Sequence, residues 1–226
     1  EDGLLRSVAK GQKHPPLALL VDAVGVHFDA TVPSRMEQLI AAPITAAEAG
    51  RARALQRLWC EQRLSKVNPP VEAEAPEEPY VLVVDQSAGD RSIALGLADA
   101  NCFQRMLQAA LADYPDCTVV LKVHPDVISG RARGHFNARD LAHPRVRLSA
   151  DGGHPARLLE RALAVYVVTS QMGFEALLWG RPVYCFGMPF YGGWGLTQDR
   201  CEVPLRRRQG ACLEALVHAA LVGACR

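Results

Sequence analysis

Residues 165 to 186 read strand, helix, strand, and that order constrains the rest of the chain. Tyr166–Val168 are aromatic or β-branched and end at Thr169-Ser170, the pattern of a strand buried on both faces of a parallel sheet. Met172, Ala176, Leu177 and Leu178 are good helix formers, so a helix is expected from Ser170 to about Trp179, stopped by Gly180 at the C′ position. Arg181-Pro182 then lead into a second strand, Val183–Phe186.

The same texture recurs upstream. Val81–Val84 predicts a buried strand ending in Asp85, and a helix over Asn101–Ala112 returns the chain to a strand, Thr118–Val123, that ends in His124-Pro125-Asp126. Val146–Leu148 predicts a short edge strand and Pro155–Ala162 a helix with proline in its first turn. A last helix is expected over Gly210–Val222. Pro69–Pro79 is acidic and proline-rich, incompatible with helix or central strand, and reads as a linker. Before it, Leu17–Val21 and Val26–Phe28 predict a small hairpin, Ser34 caps a helix through Ile40, and Thr45 with Glu48 makes a capping box for a helix to about Leu64. The expected division is residues 1–68, a partial N-terminal lobe; 69–79, a linker; and 80–226, a Rossmann-like lobe. Glu1 opens the chain without an initiator methionine, and the 68 residues before the linker fall short of the about 100 usual for a lobe, so a fragment is expected.

Composition excludes several classes. Lysine and arginine number 25 against 24 acids, a net charge of +1, which gives no bulk electrostatic basis for nucleic-acid binding; the Arg206–Arg208 run reads as a solvated face. Seven cysteines without CxxC spacing indicate neither a zinc site nor a disulfide framework, and fit a reducing compartment. No apolar run spans a bilayer and no signal-peptide pattern opens the chain.

Open α/β sheets bind ligands outside the carboxyl ends of their strands, which is where Asp85, His124 and Ser170 stand. A histidine there can donate to a phosphate oxygen, a hydroxyl can add a second bond, and a helix N-terminus favours an anion. Each also has a structural reading: Thr169 and Ser170 as helix caps, His124 as a satisfied structural residue. Glu175 lies in an apolar helix and needs a partner, either a ribose diol or a salt bridge to Arg181 or Lys122. A metal pair at His124 and Asp126 lacks a third ligand. The loop from Gly187 to Gly195 alternates aromatics and glycines, suited to closing over a sugar or to plugging Phe190 and Trp194 onto the core.

VLVVDQSAGDRSIALGLAD, LKVHPDVISG and VYVVTSQMGFEALLWGRPVYCFGMPFYGGWGLT, with EDGLLRSV, FDATVPSRMEQLI and LSKVN, resemble the KpsC-type capsule polysaccharide proteins, which are retaining β-Kdo glycosyltransferases. The EDG, HP and Ser/Thr elements are also similar to those of bacterial sialyltransferases. The resemblance implies a GT-B-like α/β fold and transfer of Kdo (3-deoxy-manno-octulosonic acid) from CMP-β-Kdo to a lipid-linked Kdo acceptor, with no cofactor and no metal. It also implies cytoplasmic work at the inner face of the inner membrane, with peripheral membrane contact. On this basis His124 and Ser170 hold the CMP phosphate, with Lys122, Pro125, Thr169 and Gln171 around them, and Glu175 holds the ribose. Glu1 or Asp2 is the base that activates the acceptor, and Arg6, Gln86, Tyr191 and Trp194 contact substrate. Retention requires two inversions and hence a carboxylate nucleophile, for which strand-end Asp85 is the first choice and Asp90 the second. A non-catalytic capsule biosynthesis or export scaffold and another CMP-sugar transferase of sialyltransferase type remain the alternatives.

Overall fold

The computed structural model describes Leu4 and residues 19–224. The elements run α1 (Arg35–Ala41), α2 (Ala46–Glu61), β1 (Tyr80–Val84), α3 (Arg91–Leu95), α4 (Asn101–Asp113), β2 (Thr118–Lys122), α5 (Pro125–Ile128) and α6 (Ala138–Leu141). They continue with β3 (Val146–Ser149), α7 (Ala156–Arg161), β4 (Val165–Val167), α8 (Met172–Leu178), β5 (Val183–Cys185), β6 (Gln198–Asp199) and α9 (Leu213–His218). All strand pairings are parallel, in the order β3-β2-β1-β4-β5-β6. The direction of winding reverses between β1 and β4, whose register pairs Leu82 with Val165 and Val83 with Tyr166.

Alternation along the strands builds two cores. Val81, Val83, Val119, Leu121, Tyr166 and Val168 face α4, which buries Phe103, Met106 and Ala110 against them. Leu82, Val84, Val120, Val165 and Val167 face the opposite way, onto α7, α8 and α9. The apolar runs of β1, β2 and β4 are thus covered on both faces, as a parallel sheet requires. The capping box at Thr45 and the cap at Ser34 form as expected, the latter accepting from the Glu37 backbone N–H at 3.2 Å.

Several expectations are corrected. Residues 22–29, between the two runs assigned to a hairpin, are turns and bends, because Asp22 accepts backbone N–H groups from Val24, Gly25, Arg35 and Met36 and ties the segment to α1 instead; residues 17 and 18 lie outside the described residues. The 69–79 segment is irregular but stitched down. Ala73 N donates to His154 O at 2.9 Å, His154 N donates to Val71 O at 2.7 Å, and Ala73 is buried. Residues before and after it, including Met36, Ile40, Trp59, Leu158 and Leu216, share one hydrophobic cluster. Arg207 is not on a solvated face: it is 0% exposed and paired with Glu37. The last helix starts later than expected, at Leu213, and α9 passes into a π-helical turn over Ala219–Gly223.

Candidate functional site

In a sheet of this order a crevice opens where the carboxyl ends of β1 and β4 diverge. One side chain links the two strand ends there. Gln86, the second residue after β1, accepts from Thr169 N at 2.9 Å through Oε1, and its Nε2 donates to Thr169 Oγ1 at 3.0 Å and Ser92 Oγ at 3.3 Å. Gln86 is 4% exposed, so it braces the two strand ends against each other and is not the substrate contact expected. Thr169 is buried in this network, whereas Ser170 is half-buried, its hydroxyl accepting from Met172 N at 3.3 Å.

His124 closes the crevice from the end of β2. Its Nδ1 accepts from the Asp126 backbone N–H at 3.1 Å and lies 3.2 Å from Ser87 Oγ. A backbone N–H only donates, so Nδ1 is unprotonated and the neutral ring carries its proton on Nε2. Pro125 opens α5, at the first helical position where a missing N–H costs nothing. Asp126 pairs with Arg131 at 3.0 Å. Lys122, at the last position of β2, is buried with its Nζ 3.5 Å from Gly153 O; burial pushes its pKa down, and Asp151 and Glu175 partly offset this.

Glu175 on α8 is 1% exposed. Burial pushes its carboxyl up to about 7, against the Ser65 hydroxyl, the Lys66 backbone N–H and the charges of Lys66 and Lys122. Oε1 accepts from Lys66 N at 3.2 Å, and Oε2 has no hydrogen-bond partner among the described residues. Neither Arg181 nor Lys122 forms the alternative ion pair with it among the described residues. Gln171 reaches back through Nε2 to the Leu4 carbonyl at 2.7 Å, so it fastens Leu4 to the start of α8.

The two candidate nucleophiles differ in kind. Asp85 is 3% exposed, and its carboxylate is held by neighbouring donors: Oδ1 accepts from Gln86 N (2.8 Å) and His135 N (3.2 Å) and lies 3.1 Å from His135 Nδ1, and Oδ2 shares the His135 N–H (3.3 Å). Asp90 is exposed, caps α3 by accepting from Ser92 N at 2.9 Å, and lies 3.4 Å from Gln86 Nε2. On accessibility the order of preference reverses: Asp90 is open to solvent, whereas Asp85 is buried and held by Gln86 and His135.

Tyr191 and Trp194 are corrected as well. Both are buried in the core, with Tyr191 Oη donating to Ser170 O and Trp194 Nε1 donating to Phe190 O at 2.9 Å, so the aromatic loop plugs the fold and presents no ring to a ligand. Glu1, Asp2 and Arg6 lie outside the described residues. Among those described, no group of three His, Cys, Asp or Glu is placed to hold a metal ion. His135, which holds Asp85 and Gln86, and the Ser65–Asn68 turn, which contacts Glu175, have no counterpart in the sequence reading. His135 sits in a polar loop without periodicity, and only LSKVN within the family resemblance pointed to the turn.

A doubly wound parallel sheet with polar groups gathered at its switch point defines an α/β protein of GT-B-like build. The chain belongs to the family described as "Capsule polysaccharide biosynthesis protein", whose pattern matches residues 46–224. It is 42% identical over 210 residues to the capsule polysaccharide modification protein LipA of Neisseria meningitidis serogroup B, covering 88% of this chain and 30% of that protein. To the lipopolysaccharide-processing protein LpsZ of Rhizobium meliloti it is 38% identical, covering 98% of this chain and 52% of LpsZ. The chain thus spans about a third to a half of these relatives. Among solved structures it is similar to the Thermosulfurimonas dismutans KpsC β-Kdo 2,4 transferase (TM-score 0.89, 42% identity, 97% of this chain and 70% of that one). It is also similar to the β-Kdo 2,7 transferase of the same organism (TM-score 0.72, 28% identity, 93% and 64%).

Proposed function

We propose that this chain carries the donor site of a capsule glycosyltransferase, which moves Kdo from CMP-β-Kdo to a lipid-linked Kdo acceptor with retention of configuration. The observation that carries the reading is likeness over 97% of the chain to a β-Kdo 2,4 transferase, joined to an accessible carboxylate, a histidine and a hydroxyl around one crevice. The stronger likeness to the 2,4 than to the 2,7 enzyme supports a 2,4 linkage.

The donor phosphate lies between His124 Nε2–H and Ser170 Oγ, and Glu175, whose Oε2 has no partner among the described residues, holds the ribose diol. Asp90 attacks the anomeric carbon as the bond to CMP breaks, and the negative charge that grows on the departing phosphate is met by His124. The resulting Kdo ester is then attacked by the acceptor hydroxyl, whose proton passes to Glu1 or Asp2, and Asp90 is released as carboxylate. Two inversions give net retention. A ketose with a carboxylate on its anomeric carbon has a crowded transition state, which rewards a nucleophile fixed in advance. No cofactor takes part in these steps. The lipid-linked acceptor brings the protein to a membrane face; no helix among the described residues is long and apolar enough to cross a membrane.

The test is to incubate the full-length protein that contains this chain with CMP-Kdo and a lipid acceptor ending in β-Kdo, and to read the product by NMR. A new β-linked Kdo at O4 is expected. An inverted product, or transfer from CMP-sialic acid in preference to CMP-Kdo, would contradict the proposal.

A further inference from the structure

We infer that His135 is a positioning residue for the transfer, holding the β1–α3 turn so that Asp90 and Thr169 keep the geometry the chemistry needs. The inference rests on the reading of Asp90 given above.

His135 lies fifty residues beyond Asp85, in the loop between α5 and α6, and touches no part of the crevice that would hold substrate. Its ring lies flat on Phe103, with centroids 3.7 Å apart and 2° between the planes, so packing fixes the orientation of the imidazole. Nδ1 stands 3.0 Å from the Gln86 carbonyl oxygen and 3.1 Å from Asp85 Oδ1. A carbonyl oxygen only accepts, and Asp85 Oδ1 already accepts two backbone N–H groups. Nδ1 therefore carries the proton and forks it between them. The backbone N–H of His135 adds a third bond to the same carboxylate, an approach that needs glycine next door: a β-carbon on Gly134 would overlap Asp85 Oδ2. One residue earlier, the Arg133 carbonyl accepts from Ala88 N at 2.7 Å, a second strut under the same turn.

These bonds leave the Gln86 backbone no freedom, since its N–H is committed to Asp85 and its carbonyl to His135. The Gln86 side chain reaches Thr169 and Asp90 from that fixed base, with Nε2 3.0 Å from Thr169 Oγ1 and 3.4 Å from Asp90 Oδ2. One amide thus transmits the position of the imidazole to the nucleophile and to the end of β4. A misplacement of about 1 Å at a reacting group costs about 10²-fold in rate, so a bond two residues removed from substrate can govern turnover.

Two substitutions in the full-length protein separate the hydrogen bond from the packing. His135→Phe keeps the ring on Phe103 and removes the donor; His135→Asn puts an amide N–H where Nδ1 stood and removes the ring. His135→Phe is expected to lower kcat about 10²-fold while donor KM and CMP affinity change less than about threefold, and His135→Asn to recover at least about a tenth of wild-type kcat. The backbone amide resonances of Gln86, Asp90 and Thr169 should shift in His135→Phe and return in His135→Asn, whether or not the protein turns over. If His135→Phe does not fold, His135→Gln takes its place, because its amide falls at the Nε2 position and offers nothing to Asp85. Full turnover in the variant lacking the donor, unmoved resonances, or equal losses in donor-keeping and donor-lacking variants would overturn the inference. Wild-type protein that binds no CMP while the resonances still move would defeat the functional reading and leave only the bracing of the β1–α3 turn by His135.

Discussion

Arg207 and Glu37, 170 residues apart, form an ion pair sealed from solvent: Arg207 Nε donates to Glu37 Oε1 at 2.7 Å, while Nη1 donates to the carbonyls of Pro189 (2.6 Å) and Gly192 (3.1 Å). Arg206 takes the other oxygen, Nε to Oε2 at 2.7 Å, and its Nη2 reaches Ala30 O at 2.6 Å. One buried carboxylate therefore joins α1, the aromatic loop and the arginine run. Removing a single partner strands a charge: Arg207→Met should cost about 3–5 kcal/mol in urea unfolding, and the double variant Glu37→Leu/Arg207→Met should cost less than Arg207→Met alone. Equal or greater loss in the double variant would contradict this assignment.

Asp85 and Asp90 should separate into a folding role and a chemical one. Asp90→Asn keeps a good N-cap and should leave stability within about 0.5 kcal/mol while abolishing turnover. Asp85→Asn turns an amide N–H toward the donors of His135 and should cost about 1–3 kcal/mol of stability. Denaturation curves with single-turnover rates check both; the reverse pattern would restore Asp85 as nucleophile.

Glu175 gives a pH dependence with a definite sign. Its folded pKa, about 7, lies above the ordinary 4.5, so the folded state holds a proton that the unfolded state releases between those values. Stability is fully present below about pH 4.5, falls as pH rises toward 7 and is level beyond it, a loss of up to about 3 kcal/mol. Glu175→Gln should remove that slope. The ribose reading adds an opposite trend, since only the carboxylate accepts both diol protons: CMP affinity should rise from pH 6 to 8 in wild type more than in Glu175→Gln. Calorimetry at three pH values distinguishes them, and parallel curves would exclude Glu175 from the ribose site.

Trp194 serves the core. Trp194→Ala should cost about 3–5 kcal/mol, measured by thermal unfolding, and leave the CMP affinity of the folded fraction unchanged within about twofold. A selective loss of donor binding at unchanged stability would return the loop to the site.

The sheet was legible because β1, β2 and β4 are short apolar runs whose burial on both faces leaves few other arrangements, and the caps at Ser34 and Thr45 announce their helices directly. The crevice followed from topology, which brings Asp85, His124 and Ser170 to one edge. What each residue does there was not legible, since it depends on partners far away in sequence. Asp85 looks like a nucleophile until His135 is seen to occupy it, and Gln86 looks like a substrate contact until Thr169 claims its amide. Tyr191 and Trp194 are as apolar in a lid as in a core; the buried Arg207, which pairs with Glu37 on α1 and donates to Pro189 O, decides for the core.

The covalent step is tested most directly by mixing the full-length protein with CMP-Kdo and no acceptor, then locating the adduct by mass spectrometry. Asp85 and Asp90 share the Val67–Arg91 tryptic peptide, so backbone fragmentation between Gln86 and Asp90 must place the sugar. One Kdo is expected on Asp90, absent in Asp90→Asn and discharged on adding acceptor. A Kdo on Asp85, or retained stereochemistry with full turnover in Asp90→Asn, would contradict that expectation.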